Sequence, residues 1–268
     1  MQIDGVETVH NSTCSMRFYE ELNDFLPQER RKVCFSHHFQ RRASIKDLIE
    51  AQGVPHTEIE LILVNGCSVD FSYIVQDGDR ISVYPIFEAF DLQSLVRVRP
   101  TPMRVSRFVL DVHLGKLARY LRLLGFDTLY RNNYEDGELA RLSSETHRIL
   151  LTRDRHLLKR AVITHGYYVR SVDPRRQIEE ILERFDLYRV IQPFQRCVRC
   201  NGRLAATPKP QVVERLLPET RRWIEEFWVC EDCAQIYWEG SHLPHLRRWI
   251  DRLQARAHPG FAVEPGNE

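Results

Sequence analysis

The sequence has no apolar run approaching the roughly 18–20 residues needed to cross a bilayer. Its first residues, MQIDGVETVHNSTC, lack the basic-then-apolar pattern of a secretory signal. Seven cysteines, an odd number, do not make a closed disulfide framework. Together these absences argue against a secreted or membrane protein and for a reducing, cytoplasmic compartment. Wholesale disorder is excluded as well. With 43% hydrophobic and 28% charged residues over 268 positions, the chain can build about two or three packed domains.

Charge is unevenly shared. Residues 1–90 hold 8 Lys/Arg against 14 Asp/Glu, whereas residues 91–268 hold 30 against 23. The basic residues of the second part are almost all Arg, whose planar fork suits phosphate and does not deprotonate. An anionic partner such as nucleic acid is one reading of that part, and a solubilising surface is the other.

Residues 1–90 form a small mixed α/β unit. VCFSHHF alternates like a strand. SIKDLIEAQGVP is a capped helix, with Ser44 at the N-cap, Asp47 near the positive helix end, and Gly53 and Pro55 closing it. ELILVNGCSVDFSYIVQDGDRISVYPIFE holds two hydrophobic strands around the turn signals Asn65-Gly66 and Asp77-Gly78. This order resembles the β-grasp fold of ubiquitin-like proteins, and ILVNGCSV…DGDRISVYP is similar to its sulfur-carrier branch. Carriers act through a C-terminal Gly-Gly. Here the chain reads IFEAFDLQ after Pro85 and continues, which removes the carrier chemistry. The unit is therefore read as an interaction module for a protein partner. Cys14, Cys34 and Cys67 are expected to be buried small hydrophobes.

Residues 91–107, with four Arg, two Pro and no periodicity, read as a basic linker. Over 108–190 strand and helix alternate. RFVLDV ends in Asp111, and HLGKLARYLRLLG follows as an amphipathic helix closed by Gly125. FDTLYR is a strand, DGELARLSS a helix, and RILLTRD a strand ending in Asp154. A further helix and the strand GYYVRSV precede the helix PRRQIEEILERFDL, with Pro174 in its first turn. Such alternation predicts a mostly parallel sheet, with ligands at the carboxyl ends of its strands. Asp111 and Asp154 fall there. Residues 191–257 carry the cysteine pairs and a C-terminal helix, and 258–268 read as a loose tail.

CVRC at 197–200 and CEDC at 230–233 are two C-x2-C knuckles. Each turns two thiolates toward one ion. Cys197, Cys200, Cys230 and Cys233 together complete the tetrahedral S4 shell of a structural Zn²⁺, which leaves no open position for catalysis. Arg199 and Arg203 are placed to offset the thiolate charge. The alternatives are a redox C-x-x-C pair, or His242 and His245 as competing ligands. CVRCNGRL and WVCEDCAQIYW resemble the two hairpins of a zinc ribbon.

Asp111, Asp136 and Asp154 all sit at strand or helix ends of one α/β pattern. Carboxylates gathered at one end of a sheet repel one another, and a bound Mg²⁺ or Mn²⁺ relieves that repulsion. Such an ion supports phosphodiester hydrolysis. Singly, the same acids also read as helix caps, and Asp154 as a partner of Arg153 or Arg155. Lys116, Arg119 and Arg122 recur every three positions along one helix face, and Arg153, Arg155 and Lys159 flank Asp154. They are candidates to hold the phosphates of RNA; a solvated helix face is the bland alternative. Tyr120 and Tyr134 are candidates for stacking on bases or for burial.

FVLDVHLGKLARYLRLLGFDTLYR…EDGELARLSS…RILLTRDRHLLKR resembles the Mut7-C ribonuclease family, a branch of the PIN-like nucleases. Members of this family carry a zinc ribbon, and several begin with a ubiquitin-like domain. The resemblance implies an α/β chain: a PIN-like, mostly parallel sheet at 108–190, preceded by a β-grasp domain and followed by a zinc ribbon. It implies a metal-dependent ribonuclease with Asp111, Asp136 and Asp154 as the metal-binding acids. Glu135 is a substitute for Asp136, and Asp173 is the nearest candidate for a fourth acid. The rival reading is a non-catalytic RNA-binding adaptor in which the ribbon and arginines bind and the acids are structural.

Overall fold

The computed structural model describes residues 12–85, 106–240 and 243–256. Most of the expected linker, the expected tail and His242 lie outside the described residues. The described chain forms two compact units. One holds residues 12–85 and 154–168, and the other holds 106–153 and the chain from 169 onward.

The first unit begins with β1 (Ser12–Phe18) and β2 (Phe35–Phe39), which pair antiparallel. Helix α1 (Ile45–Ala51) follows, and the Ser44 hydroxyl accepts the Asp47 N–H at 3.2 Å as the cap pattern predicts. β3 (Leu61–Val64), β4 (Cys67–Val69) and β5 (Arg80–Tyr84) complete a mixed sheet of order β2-β1-β5-β3-β4, with β1 and β5 parallel at its centre. This is the β-grasp arrangement. Two strands were expected after the helix and three are found. Asn65 and Gly66, at φ +52° and +89°, form a tight turn that folds β3 back as β4. Every second residue of β1 from Cys14 onward, that is Cys14, Met16 and Phe18, is buried, in a core with Ile45, Ile49, Ile62 and Ile81. Cys14 meets the expectation of burial, and the Cys14 thiol is pushed up to about 11, chiefly by that burial. Cys34 and Cys67 do not. Both are exposed, because Cys34 ends a loop before β2 and Cys67 follows the turn directly.

The second unit opens with β6 (Phe108–Leu110), fully buried along its length. Then come α2 (Gly115–Leu123), β7 (Thr128–Leu129), α3 (Asp136–Glu145) and β8 (Ile149–Thr152). β7, β6 and β8 lie side by side in parallel, as the alternation predicts. α4 (Arg155–Leu158) and β9 (Gly166–Tyr168) follow; β9 is the fourth strand of this sheet, beside β8, while residues 154–168 as a whole belong to the compact first unit. The chain returns at Val169, whose N–H donates to Thr152 O at 2.8 Å. α5 (Pro174–Arg184) then packs against α2. β10 (Leu204–Pro208), α6 (Pro218–Trp223), β11 (Glu226–Cys230) and β12 (Ile236–Trp238) form the ribbon, an antiparallel sheet with its own small core of Phe227, Ile236, Val212 and Leu216. α7 (Leu243–Ala255) ends the described chain. No helix among the described residues is long and apolar enough to cross a membrane.

Candidate active site and metal centre

Asp111 follows β6 directly and is only 6% exposed. Its Oδ2 accepts the Thr152 hydroxyl at 2.7 Å, and its backbone N–H donates to Leu151 O at 3.1 Å. Both partners lie at the end of β8, the parallel neighbour of β6. A hydroxyl satisfies one lone pair but leaves the carboxylate charge uncompensated, and no cationic side chain among the described residues pairs with it. Buried charges are paired or coordinate metal ions, so the donor set fits a hard divalent cation.

Asp136 is the first residue of α3 and is exposed, with Glu135 at the cap position making no side-chain cap. The positive helix end favours a carboxylate there. Asp154 caps α4: its Oδ1 accepts the His156 and Leu157 N–H groups at 2.7 and 3.4 Å. Asp173 caps α5 in the same way, accepting from Arg175 and Arg176 at 3.0 Å each. Its exposed position and its role as a cap are a sufficient structural account of it.

The basic residues divide. Lys116 and Arg119 are exposed on α2. Arg122 is buried, and its guanidinium donates to Thr128 O at 2.9 Å, Arg199 O at 2.9 Å and Val198 O at 3.2 Å. Its fork is filled with carbonyls, so the phosphate role expected of it is corrected to that of a staple between α2, β7 and the first knuckle. Arg153 is likewise engaged. One terminal nitrogen donates to Val169, Arg170 and Ser171 carbonyls at 2.7–2.9 Å, pinning the chain where it re-enters the second unit. Arg155 donates to Phe25 O at 3.3 Å and Asp24 O at 3.1 Å and lies over the Phe25 and Tyr168 rings. Tyr120 packs on Trp249, and Arg131 covers Tyr134.

The four cysteines converge as their spacing predicts. Their sulfurs all lie within 4.8 Å of one another, with Cys200–Cys230 at 3.4 Å and Cys197–Cys233 at 3.6 Å. A tetrahedral zinc with Zn–S bonds of about 2.3 Å sets sulfur–sulfur edges of about 3.8 Å, so the cage fits that ion. The two knuckles repeat one geometry. Asn201 N–H donates to Cys197 O, and Ala234 N–H to Cys230 O. Asn201 and Ala234 both have positive φ, +80° and +56°. A side chain at Gly202 would meet Asp232 at 2.6 Å and the Cys230 sulfur at 2.8 Å. Burial raises the Cys200 and Cys230 thiols; the neighbouring sulfurs add to it at Cys200, whereas at Cys230 the Cys233 sulfur raises and the Cys200 sulfur lowers. Burial also opposes ionisation of Cys197, but hydrogen bonds from Tyr237 and the knuckle backbone bring that thiol down to about 7. Four thiolates in so small a volume need a cation. His245, an alternative ligand on sequence, instead contacts Arg248.

Several contributors were not identified from sequence. Thr152 orients Asp111; its signal was a hydroxyl at the end of an apolar strand. Asp127 binds Arg148 at 2.7 Å and Asn201 at 2.8 Å, coupling β7 to the first knuckle. Arg122 is the buried cation on which the charges of Cys200 and Cys197 act, a role expected of Arg199 and Arg203.

Residues 106–250 match the family model described as the Mut7-C RNAse domain, and residues 11–91 match that described as Mut7-C ubiquitin. Neither a curated protein nor a solved structure matches the chain.

Proposed function

Because the chain belongs to the Mut7-C RNAse domain family, we propose that it is a divalent-metal-dependent ribonuclease that hydrolyses RNA phosphodiester bonds. The observation that carries this reading is Asp111, a buried carboxylate with a hydroxyl partner and no cation beside it. In this reading Asp111, Asp136 and Asp154 hold one Mg²⁺ or Mn²⁺. When bound, that ion polarises a phosphoryl oxygen and activates water as the nucleophile. The Thr152 hydroxyl holds Asp111 in one orientation. Lys116 and Arg119, exposed on the helix that follows Asp111, neutralise phosphates of the bound strand. The four-cysteine zinc is structural and takes no part in the chemistry.

The test is cleavage of labelled RNA with and without added Mg²⁺ or Mn²⁺, using Asp111→Asn and Asp154→Asn proteins checked for folding by thermal melting. Both substitutions keep side-chain size and remove the charge that holds the ion. Cleavage is expected to fall by about two orders of magnitude or more, whereas RNA affinity holds or rises as negative charge is lost. A well-folded Asp111→Asn protein that cleaves like the parent would sink the reading and leave the RNA-binding adaptor in its place.

A further inference from the structure

We propose that a groove between α2, the first cysteine knuckle, the ribbon sheet and α7 is a binding track for single-stranded RNA, with bases on its aromatic floor and phosphates on its arginine rim. Its ligand class rests on the ribonuclease reading; its location rests on the following geometry.

The main cavity has a volume of about 640 Å³ and is continuous in lining with a smaller one of about 390 Å³, since Arg119, Val198 and Tyr237 belong to both. Trp228 and Tyr237 form the floor. They stand directly opposite each other on β11 and β12, as a cross-strand pair. The alternation of the strands sends Phe227 and Ile236 into the ribbon's core and leaves this pair on the other face. Phe194 and Tyr120 add aromatic wall. Phe194 sits at φ +62°, a conformation that an aromatic residue adopts only when its surroundings hold it there.

The charge of the rim selects the occupant. Arg119, Arg196, Arg199 and Arg247 line the two cavities, against Glu239 as the single acidic lining residue among the described residues, and Glu239 is paired with Arg247. Arg119 and Arg199 are exposed and make no ion pair among the described residues. An apolar peptide would leave these charges uncompensated, whereas a polyanion with flat bases uses both the rim and the floor. The direction is also defined. The smaller cavity reaches Gly115 and Tyr130, and the Tyr130 hydroxyl donates to the carbonyl of Val112 at 2.9 Å, the residue next to Asp111. A strand lying in the groove therefore leads toward the buried acid.

Stacking on aromatic rings tolerates any base, so binding should favour single strands without strong sequence preference. The experiment is fluorescence anisotropy with a labelled RNA of about twelve nucleotides, without added Mg²⁺ or Mn²⁺, so that binding is read apart from cleavage. Trp228→Ala should weaken binding by about tenfold, and Trp228→Phe should restore most of it. Arg119→Ala, at an exposed position that does not threaten folding, should weaken binding and reduce the slope of affinity on salt by about one. A duplex of the same sequence should bind more weakly than the single strand. Zinc content and melting temperature are measured on every variant. Parent-like binding by both Trp228→Ala and Arg119→Ala overturns the track, as does equal affinity for duplex, or a groove that takes an apolar dye but no RNA. Loss of binding in these variants, with no metal-dependent cleavage by the parent, keeps the track and rejects the nuclease. Metal-dependent cleavage with parent-like binding by both variants does the reverse.

Discussion

Asp127 holds three partners at once: Arg148 at 2.7 Å, Asn201 at 2.8 Å and Arg196 at 3.5 Å. Burial alone would raise its pKa, but the hydrogen bonds from Arg148 and Asn201 outweigh burial and hold the carboxyl below its ordinary range. The sign of the pH effect follows. A depressed native pKa contributes stability that is fully present above the unfolded value of about 3.9 and is lost as pH falls through the native value. Asp127→Asn should therefore cost about 1.5–3 kcal/mol at neutral pH, the range for hydrogen bonds to a charged group. The gap between parent and variant should close below about pH 4. Melting curves from pH 7 downward check this, and a gap that stays constant into acid would refute it. Arg122 belongs to the same scale. Its place in a three-residue repeat with Lys116 and Arg119 suggested a phosphate contact, yet the carbonyls of residues 128, 198 and 199 surround it. Spacing along a helix reports a face, and what packs on that face comes from segments some 75 residues away.

At the level of elements, the legible features are those whose causes are local. The Ser44 cap, the Asn65-Gly66 turn, Pro174 in the first turn of α5 and the paired knuckles each depend on a few adjacent residues, and all are found in the structure. Strand and helix order across 108–184 was legible for the same reason. The Trp228–Tyr237 floor was not, since it forms only when β11 and β12 pair. Nor was the dependence of the parallel-sheet elements on the ribbon, which runs through Arg122 and through Asn201, whose side chain accepts the Thr128 N–H at 2.9 Å. That dependence sharpens the expectation for zinc. The protein should carry one tightly held Zn²⁺, and Cys230→Ser should release it and unfold the ribbon. Because Asn201 and the carbonyls of 198 and 199 then lose their positions, α2 and β7 should loosen too, while the β-grasp strands β1, β3 and β5 keep their protection. Elemental analysis together with hydrogen exchange by mass spectrometry checks both parts. A metal-free protein with a folded ribbon would reject the zinc assignment, and an unchanged α2 would reject the coupling.

At the scale of the whole molecule, the first unit holds more than the β-grasp elements. The segment 154–168, which sequence places inside the nuclease pattern, is built into the first unit. Arg155 binds the carbonyls of Asp24 and Phe25, and Lys159 binds Glu50 O at 2.7 Å. His56 contacts Ile163 O at 2.9 Å, and the buried carboxylate of Glu58 accepts the Tyr168 N–H at 2.7 Å. Tyr168 also packs against the β-grasp core and meets Phe25 edge-on. Asp154 caps the helix that these contacts anchor. Arg155 and Lys159 thus act on the fold, and the β-grasp domain sets where that cap residue lies. The double variant Arg155→Ala, Lys159→Ala removes bonds to three carbonyls and two ring contacts without touching Asp154. Its melting temperature should fall by several degrees, in proportion to about 2 kcal/mol of lost hydrogen bonding. Hydrogen exchange in 154–168 should rise while the β1–β5 core stays protected, because the segment is the part released. If Asp154 contributes to cleavage as proposed, the rate under saturating RNA should drop several-fold with little change in RNA affinity, since positioning is lost and phosphate contacts are not. A loss of affinity at unchanged rate would instead return Arg155 and Lys159 to the phosphate-binding role first expected of their sequence.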